Sequence, residues 1–216
     1  AELLRRQNPD GSFGYAPCTD RTALSLLFLA RGRQAVLLQK LRYDGKWNAR
    51  PHDAATAVRW VQQQYERPLR WQVLPADAPQ AAWGAAPILY VSGAGPLELT
   101  DAQKARIRAF VRRGGLLLSE SACASGDFTL DATALLGELF APYKPGPLAA
   151  EHPLYTAGAR VEGFRGLRAV HNGVRLLAVH VSGDLSRALQ LGPGGVGEAG
   201  RDAFRLLQNA YLCVGG

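Results

Sequence analysis

Between residues 34 and 140, short apolar runs alternate with stretches whose apolar residues recur every three or four positions. This switching of period predicts strands separated by helices. The first run, 35–41, closes in a polar turn, Tyr43-Asp44-Gly45-Lys46-Trp47-Asn48. Asp53 is then expected to cap a helix that carries Val58, Val61 and Tyr65 on one face and ends at Pro68. Strands are expected over 70–74 and 87–91, the second closed by Ser92-Gly93-Ala94-Gly95. Thr100-Asp101-Ala102-Gln103 reads as a capping box, in which each side chain satisfies the other residue's orphan N–H. Ile107, Phe110 and Val111 form the buried stripe of that helix, and Gly114-Gly115 supplies its left-handed stop. The near-continuous apolar run 116–120 suits a strand covered on both faces, and another helix is expected over 129–140.

After a Pro-rich connection, 142–153, the pattern changes. Two β-rich runs, 167–170 and 174–181, flank His171-Asn172-Gly173, and Asn-Gly between such runs predicts a hairpin. Residues 192–200 read as a flexible loop and 202–212 as a closing helix. Serial βα units imply an α/β fold: a mostly parallel sheet with right-handed crossovers, helices on both faces and a late antiparallel hairpin.

Residues 1–33 form a separate expected domain, a helical hairpin preceding the α/β domain of 34–216. Leu3 and Leu4 close a short helix, and Asn8-Pro9 and Asp10-Gly11 reverse the chain in a turn that runs to Tyr15. A second helix, with Asp20 as expected N-cap, places Leu24, Leu27 and Phe28 on one face and stops at Gly32. The run from Gln7 to Phe13 resembles the Gln-x-x-Asp-Gly-Ser-aromatic motif of the squalene cyclase and prenyltransferase repeat. The resemblance implies a terminal helical repeat of a toroid, whose partner would be upstream repeats of the same longer protein. The family's catalytic acidic motif has no counterpart here, so its cyclase chemistry is not carried over.

Composition narrows the classes. At 216 residues, 47% hydrophobic and 20% charged, the chain can bury a full core without staples. No apolar run reaches the roughly 18 residues of a membrane helix, so no membrane insertion is expected; a soluble bacterial segment, cytoplasmic or periplasmic, fits. The absence of Met suggests a piece of something longer. A net charge of +7 invites nucleic acid. The arginines are dispersed, however, and only Arg106, Arg108, Arg112 and Arg113 make a dense basic face, which disfavours that partner. Cys18, Cys123 and Cys213 are too far apart for a zinc set and too few for a disulfide framework. The four histidines show no metal-ligand spacing, and no cofactor fingerprint is present.

Four segments, in order, resemble a bacterial family known only as domain of unknown function 4159: Lys40-Leu41-Arg42-Tyr43-Asp44-Gly45-Lys46-Trp47-Asn48, residues 87–93, Phe110-Val111-Arg112-Arg113-Gly114-Gly115, and Glu151-His152-Pro153-Leu154-Tyr155. The same arrangement is similar to the ThuA-like branch of the class I glutamine amidotransferase-like fold, which implies a flavodoxin-like core. Neither resemblance implies a reaction.

In an open parallel sheet, ligands sit at the carboxyl ends of the strands. That rule selects Asp44, Trp47 and Asn48 after the first strand, Ser92 and Gly93 after the third, and Glu120 and Ser121 after the next. Trp47 offers a flat platform for a sugar or base, and Asp44 and Asn48 can bond hydroxyls. This set favours a non-catalytic module that binds a carbohydrate or other small polar ligand, or a protein partner. The alternative is a hydrolase or amidotransferase-like enzyme with Cys123 as nucleophile, completed by His152 and Glu151 or by His180 and Asp184. Against it, Cys123 lies between Ala122 and Ala124, without the flanking glycines of a nucleophile elbow. A third reading makes residues 1–33 the working part of a terpene cyclase fragment.

Overall fold

The computed structural model describes residues 2–14, 19–32 and 34–215. Contacts divide the chain into two compact units, Ala1–Ala35 and Val36–Gly216.

In the first unit, α1 (Glu2–Arg5) and α2 (Thr19–Gly32) flank a turn that satisfies its own polar groups. Gln7 pairs with Phe13 as an antiparallel bridge, and the Gln7 amide donates to the Gly11 carbonyl at 2.9 Å. Asn8 Nδ2 donates to Ser12 Oγ and to the Gly14 carbonyl, while Asp10 accepts from the Ser12 backbone and hydroxyl. Gly11, at φ +85°, supplies the left-handed residue that closes the reversal. Phe13 is buried, and its N–H donates to Thr22 of α2. Helix α2 begins at Thr19, so Asp20 is not the N-cap; it lies in the first turn, where its charge suits the helix dipole. On the face expected to carry Leu24 and Leu27, both side chains are exposed, as is Leu26. Tyr15, Cys18 and the Phe28 side chain lie outside the described residues. Among the described residues, no helix is long and apolar enough to cross a membrane.

The second unit is built on a seven-stranded sheet in the order β2-β1-β3-β4-β7-β6-β5. Strands β1 (Ala35–Arg42), β3 (Ile88–Gly93), β4 (Leu116–Ser121) and β7 (Leu176–Val181) pair in parallel. β2 (Leu69–Pro75) flanks β1 at one edge. β6 (Arg168–His171) and the two-residue β5 (Gly146–Pro147) add antiparallel strands at the other. The predicted Asn-Gly turn joins β6 to β7, with Gly173 at φ +90° and Asn172 Oδ1 accepting from the N–H groups of Val174 and Arg175.

One face of the sheet is covered by α3 (Asp53–Tyr65), α7 (Leu185–Leu191) and α8 (Gly197–Gly215), with α6 (Pro153–Thr156) packed on α8. The other is covered by α4 (Asp101–Arg112) and α5 (Gly126–Leu139). Alternation along each strand therefore feeds two cores, one containing Ile88, Leu116, Leu118 and Phe204 and the other Leu89, Leu117, Phe110 and Phe128. The Thr100–Gln103 capping box is formed in both directions. Helix α5 starts three residues before its expected position because Ser125 caps it by accepting from the Phe128 N–H. Of the region expected to be a loop, 192–196 does connect α7 to α8 while 197–200 forms the first turn of α8, and α7 is too short for its period to register in the sequence.

Candidate functional site

The carboxyl ends of β1, β3, β4 and β7 do share one edge, but the residues expected there sort into three groups. The first is an open pocket of about 380 Å³ whose lining includes Arg42, Tyr43, Asp44, Trp47, Asp77 and Gln103. Its walls are the turn after β1, the end of β2 and the start of α4. Asp44 is exposed and Trp47 half-buried, packed against the α4/α5 core. Gln103 Nε2 also donates to Asp77 at 3.1 Å, fixing two polar groups of the wall. A second hollow, of about 370 Å³, lies at the opposite, amino edge and is lined mainly by Trp83, Phe110 and the backbone around Gly84–Pro87.

The second group lies largely buried beneath the α3/α7/α8 layer and forms a polar network that links Lys40, Asp53 and Tyr90 to Ser92, Glu120, Ser186, Asp184 and Arg50. Lys40 sits in a buried strand whose only other buried polar residue is its neighbour Gln39, and it is 1% exposed. Its ammonium donates to both oxygens of Asp53 at 2.7 and 2.8 Å, to Asn48 Oδ1 at 3.0 Å and to the Arg50 carbonyl at 3.0 Å. The Trp47 ring centroid lies 6.0 Å from Lys40 Nζ and that of Tyr90 5.7 Å, so two aromatic faces help hold the cation. Asp53 is thus not the cap of α3: His52 occupies the N-cap position without a side-chain bond, and Asp53, the first helical residue, turns inward as the counter-ion. Burial pushes the Asp53 carboxyl up, opposed by the Lys40 ammonium and the Ala54 N–H. The Tyr90 hydroxyl donates to Asp53 at 3.2 Å and also interacts with Ser92. Ser92 donates a short hydrogen bond to Glu120 Oε1, and Oε2 accepts from the Ser186 N–H at 3.3 Å. Asp184 accepts from the Ser186 hydroxyl at 3.1 Å and from Arg50 Nη2 at 3.1 Å, returning the path to the residue whose carbonyl Lys40 holds.

Glu120 is the odd member of this network. It is 0% exposed and has only neutral donors, and the loss of water raises its carboxyl to about 7. Burial and the nearby Glu120 charge likewise push the Tyr43 phenol upward. Tyr43 donates to the Ser92 carbonyl at 3.1 Å, and the Ala94 N–H donates to the Lys46 carbonyl at 3.1 Å, tying together the turns after β1 and β3. Gly93 is required by packing: a Cβ there would collide with Phe128 and the Tyr43 hydroxyl. The end of β3 is therefore filled by protein, and Gly93 offers no cradle for a ligand.

The third group lies on the opposite face, under α5. Ser121 follows Glu120 directly and so points the other way, where its hydroxyl meets Thr129 Oγ1 at 2.6 Å and His180 Nε2 at 3.5 Å. Ser119 Oγ bonds His180 Nδ1 at 3.0 Å. Burial lowers the His180 imidazole to about 4, so it is neutral near pH 7.

Cys123 lies on a 3₁₀ turn just past β4. It is exposed, and both it and Ala124 are left-handed, at φ +57° and +52°. Neither expected imidazole reaches it. His152 accepts from the Leu154 N–H and faces the His171 ring at 6.1 Å. His171 pairs with Leu176 at the start of β7, so Glu151 and His152 belong to the amino edge, a full strand length from Cys123. His180 and Asp184 project to opposite layers of the sheet.

Sequence reasoning missed Lys40, Asp53, Tyr90, Arg50 and Ser186 as members of one site. A signal was present in Lys40, a charge inside the run 36–41 that is apolar apart from Gln39 beside it, which must find a partner if the strand is buried. Arg50 and Ser186 carry no such mark, because their proximity is created only by packing α7 on α3.

Among curated proteins none matches the chain. The model of the family described as a domain of unknown function (DUF4159) matches residues 37–205, nearly all of the α/β unit, and the chain belongs to that family.

Proposed function

We propose that the α/β unit is a non-catalytic module that binds a small polar molecule, a carbohydrate being the best-suited class, in the pocket beside Trp47. The observation that carries this reading is one open hollow at the sheet's carboxyl edge that combines an aromatic face, Trp47, with Asp44, Asp77, Gln103 and Arg42. Sugars are bound by this pairing of a flat apolar surface with fixed hydrogen-bonding groups. The strand order β2-β1-β3-β4-β7, equivalent to the flavodoxin-like order, supports kinship with the ThuA-like branch of the amidotransferase-like fold. In the first unit, the self-bonded Gln7–Phe13 turn and the exposed Leu24, Leu26 and Leu27 support a repeat of the prenyltransferase kind that packs against further helical repeats.

The test is a thermal-shift screen of sugars, nucleotides and amino acids on the full chain, repeated with Trp47→Ala and Asp44→Ala. A ligand at 100 times its Kd stabilises by about 2.7 kcal/mol. That shift should appear with a polyhydroxylated compound and disappear in Trp47→Ala; a shift that survives this substitution removes the pocket from consideration. A thiol-hydrolase reading has one observation in its favour, the strained, exposed turn at Cys123. Iodoacetamide labelling at pH 6 tests it, since an activated thiolate reacts there and an ordinary thiol reacts little.

A further inference from the structure

We infer that Arg50 is a proton-controlled latch between the β1–α3 loop and α7: it pairs with Asp184 while Glu120 carries a proton, and turns inward onto Glu120 when that proton leaves.

Three features of the geometry lead there. Glu120 is fully enclosed, and its hydrogen-bond partners among the described residues, Ser92 and Ser186, are neutral donors, so a bound proton is what neutralises the carboxyl. The ionised form would be a buried charge without a counter-ion, which a protein avoids by neutralising the group or bringing a cation to it. Arg50 is the available cation. Its Nη2 reaches Asp184, but its Nε is buried with no acceptor, an unmet donor on a side chain already influenced by the Glu120 charge. Lys40 cannot serve, because its three hydrogens are committed to Asp53, Asn48 and the Arg50 carbonyl.

The other groups around Glu120 leave the same choice. β1 and the turn after it bring Lys40 and Tyr43; α3 brings Asp53; β3 brings Tyr90; α7 brings Asp184; and the turn after β4 brings Cys123 near Arg50. Tyr43 and Tyr90 stay neutral because burial drives their phenols up, and Asp53 is matched by Lys40. His180 faces the opposite layer. The raised Glu120 carboxyl puts the exchange near neutral pH. When Arg50 turns inward, the loop and α7 lose their ionic link and keep the His52 N–H to Gln190 bond. Asp184 retains its bonds to Ser186 and the Arg187 N–H, so α7 stays capped but less firmly tied.

The experiment follows the full chain from pH 5 to 9 by carboxyl and guanidinium NMR, with amide hydrogen exchange read over residues 184–191. In the wild type, the Arg50 guanidinium signal and α7 exchange should change with a single midpoint, that of the Glu120 carboxyl. Glu120→Gln, isosteric with the protonated form, should hold the low-pH pattern throughout. Arg50→Met should raise the Glu120 midpoint by about half a pH unit, a threefold change in proton affinity, and uncouple α7 from it. The latch is overturned if Arg50 and α7 stay flat while Glu120 titrates, if Glu120→Gln keeps the transition, or if Arg50→Met leaves the midpoint in place. Should Glu120→Gln fail to fold, the Arg50→Met midpoint decides alone.

Discussion

The two faces of β4 solve one problem in opposite chemical senses. Under α3 and α7 the sheet buries a carboxyl, Glu120, raised to about 7; under α5 it buries an imidazole, His180, lowered to about 4. Burial is the first cause of both shifts, and its effect on each group is to keep it uncharged. Asp53, one strand away from Glu120, shows what changes the outcome. It is as deeply buried as Glu120, yet a fully committed ammonium stands against both of its oxygens. Depth alone therefore does not decide whether a buried group ionises. The presence of a matched partner does.

The largest effect should come from making Asp53 resemble Glu120. Lys40→Met removes the cation, leaving a buried carboxylate without its counter-ion and the Arg50 carbonyl without its Lys40 donor, which should cost about 3–5 kcal/mol in urea unfolding at pH 7. The double variant Lys40→Met/Asp53→Leu should recover part of that loss, because removing both partners is cheaper than stranding one. Equal losses in the single and double variants would mean that the pair matters by shape rather than by charge.

Next in size is a pair of pH profiles that separates the two faces. Folding raises the Glu120 carboxyl from 4.5 to about 7, so its contribution is complete below pH 4.5 and is lost as pH rises through 7. Folding lowers the His180 imidazole from 6.5 to about 4, so its contribution is complete above pH 6.5 and is lost as pH falls through 4. Each is worth on the order of 3 kcal/mol. Between pH 4.5 and 6.5 the slopes oppose, and their sum should be nearly flat. Relative to wild type, Glu120→Gln should unmask a stability that climbs with pH across this window, and His180→Gln one that declines. Chemical denaturation at half-unit intervals reads both; parallel profiles for the two variants would refute the opposition.

The origin of this arrangement was partly visible in the chain. The Thr100–Gln103 box, the Asn172-Gly173 hairpin and the run into β4 were legible because each is local: a cap, a turn and a period. The site was less so. Glu120 and Ser121 were grouped as one ligand set although period-two alternation sends consecutive strand residues to opposite layers, a separation that the sequence already implied. Asp53 looked like an N-cap because an acidic residue at a helix start usually is one; only the buried Lys40 beside it changes its role. Ser186 comes from a seven-residue helix with too few turns to show a period and Asp184 from its N-cap; Ser186 reaches Glu120 across more than sixty residues of chain, and Asp184 joins the path through Ser186 and Arg50.

The smallest expected effect probes the point where the two faces end. Past Ser121 the chain enters the left-handed turn at Cys123 and Ala124, conformations that cost a side-chain-bearing residue about 1–2 kcal/mol each. Cys123 is an exposed free thiol, so its side chain buries little surface to offset that cost within the folded chain. Cys123→Gly should therefore stabilise the protein by about 0.5–1 kcal/mol, the relief of strain being trimmed by the greater freedom of glycine in the unfolded chain. Both pH slopes should persist, because Glu120 and His180 are set by β4 and its neighbours rather than by the turn. A midpoint that moves to lower denaturant would instead mean that the thiol makes a stabilising contact in solution, and a lost Glu120 slope would show that the turn helps keep water from the carboxyl.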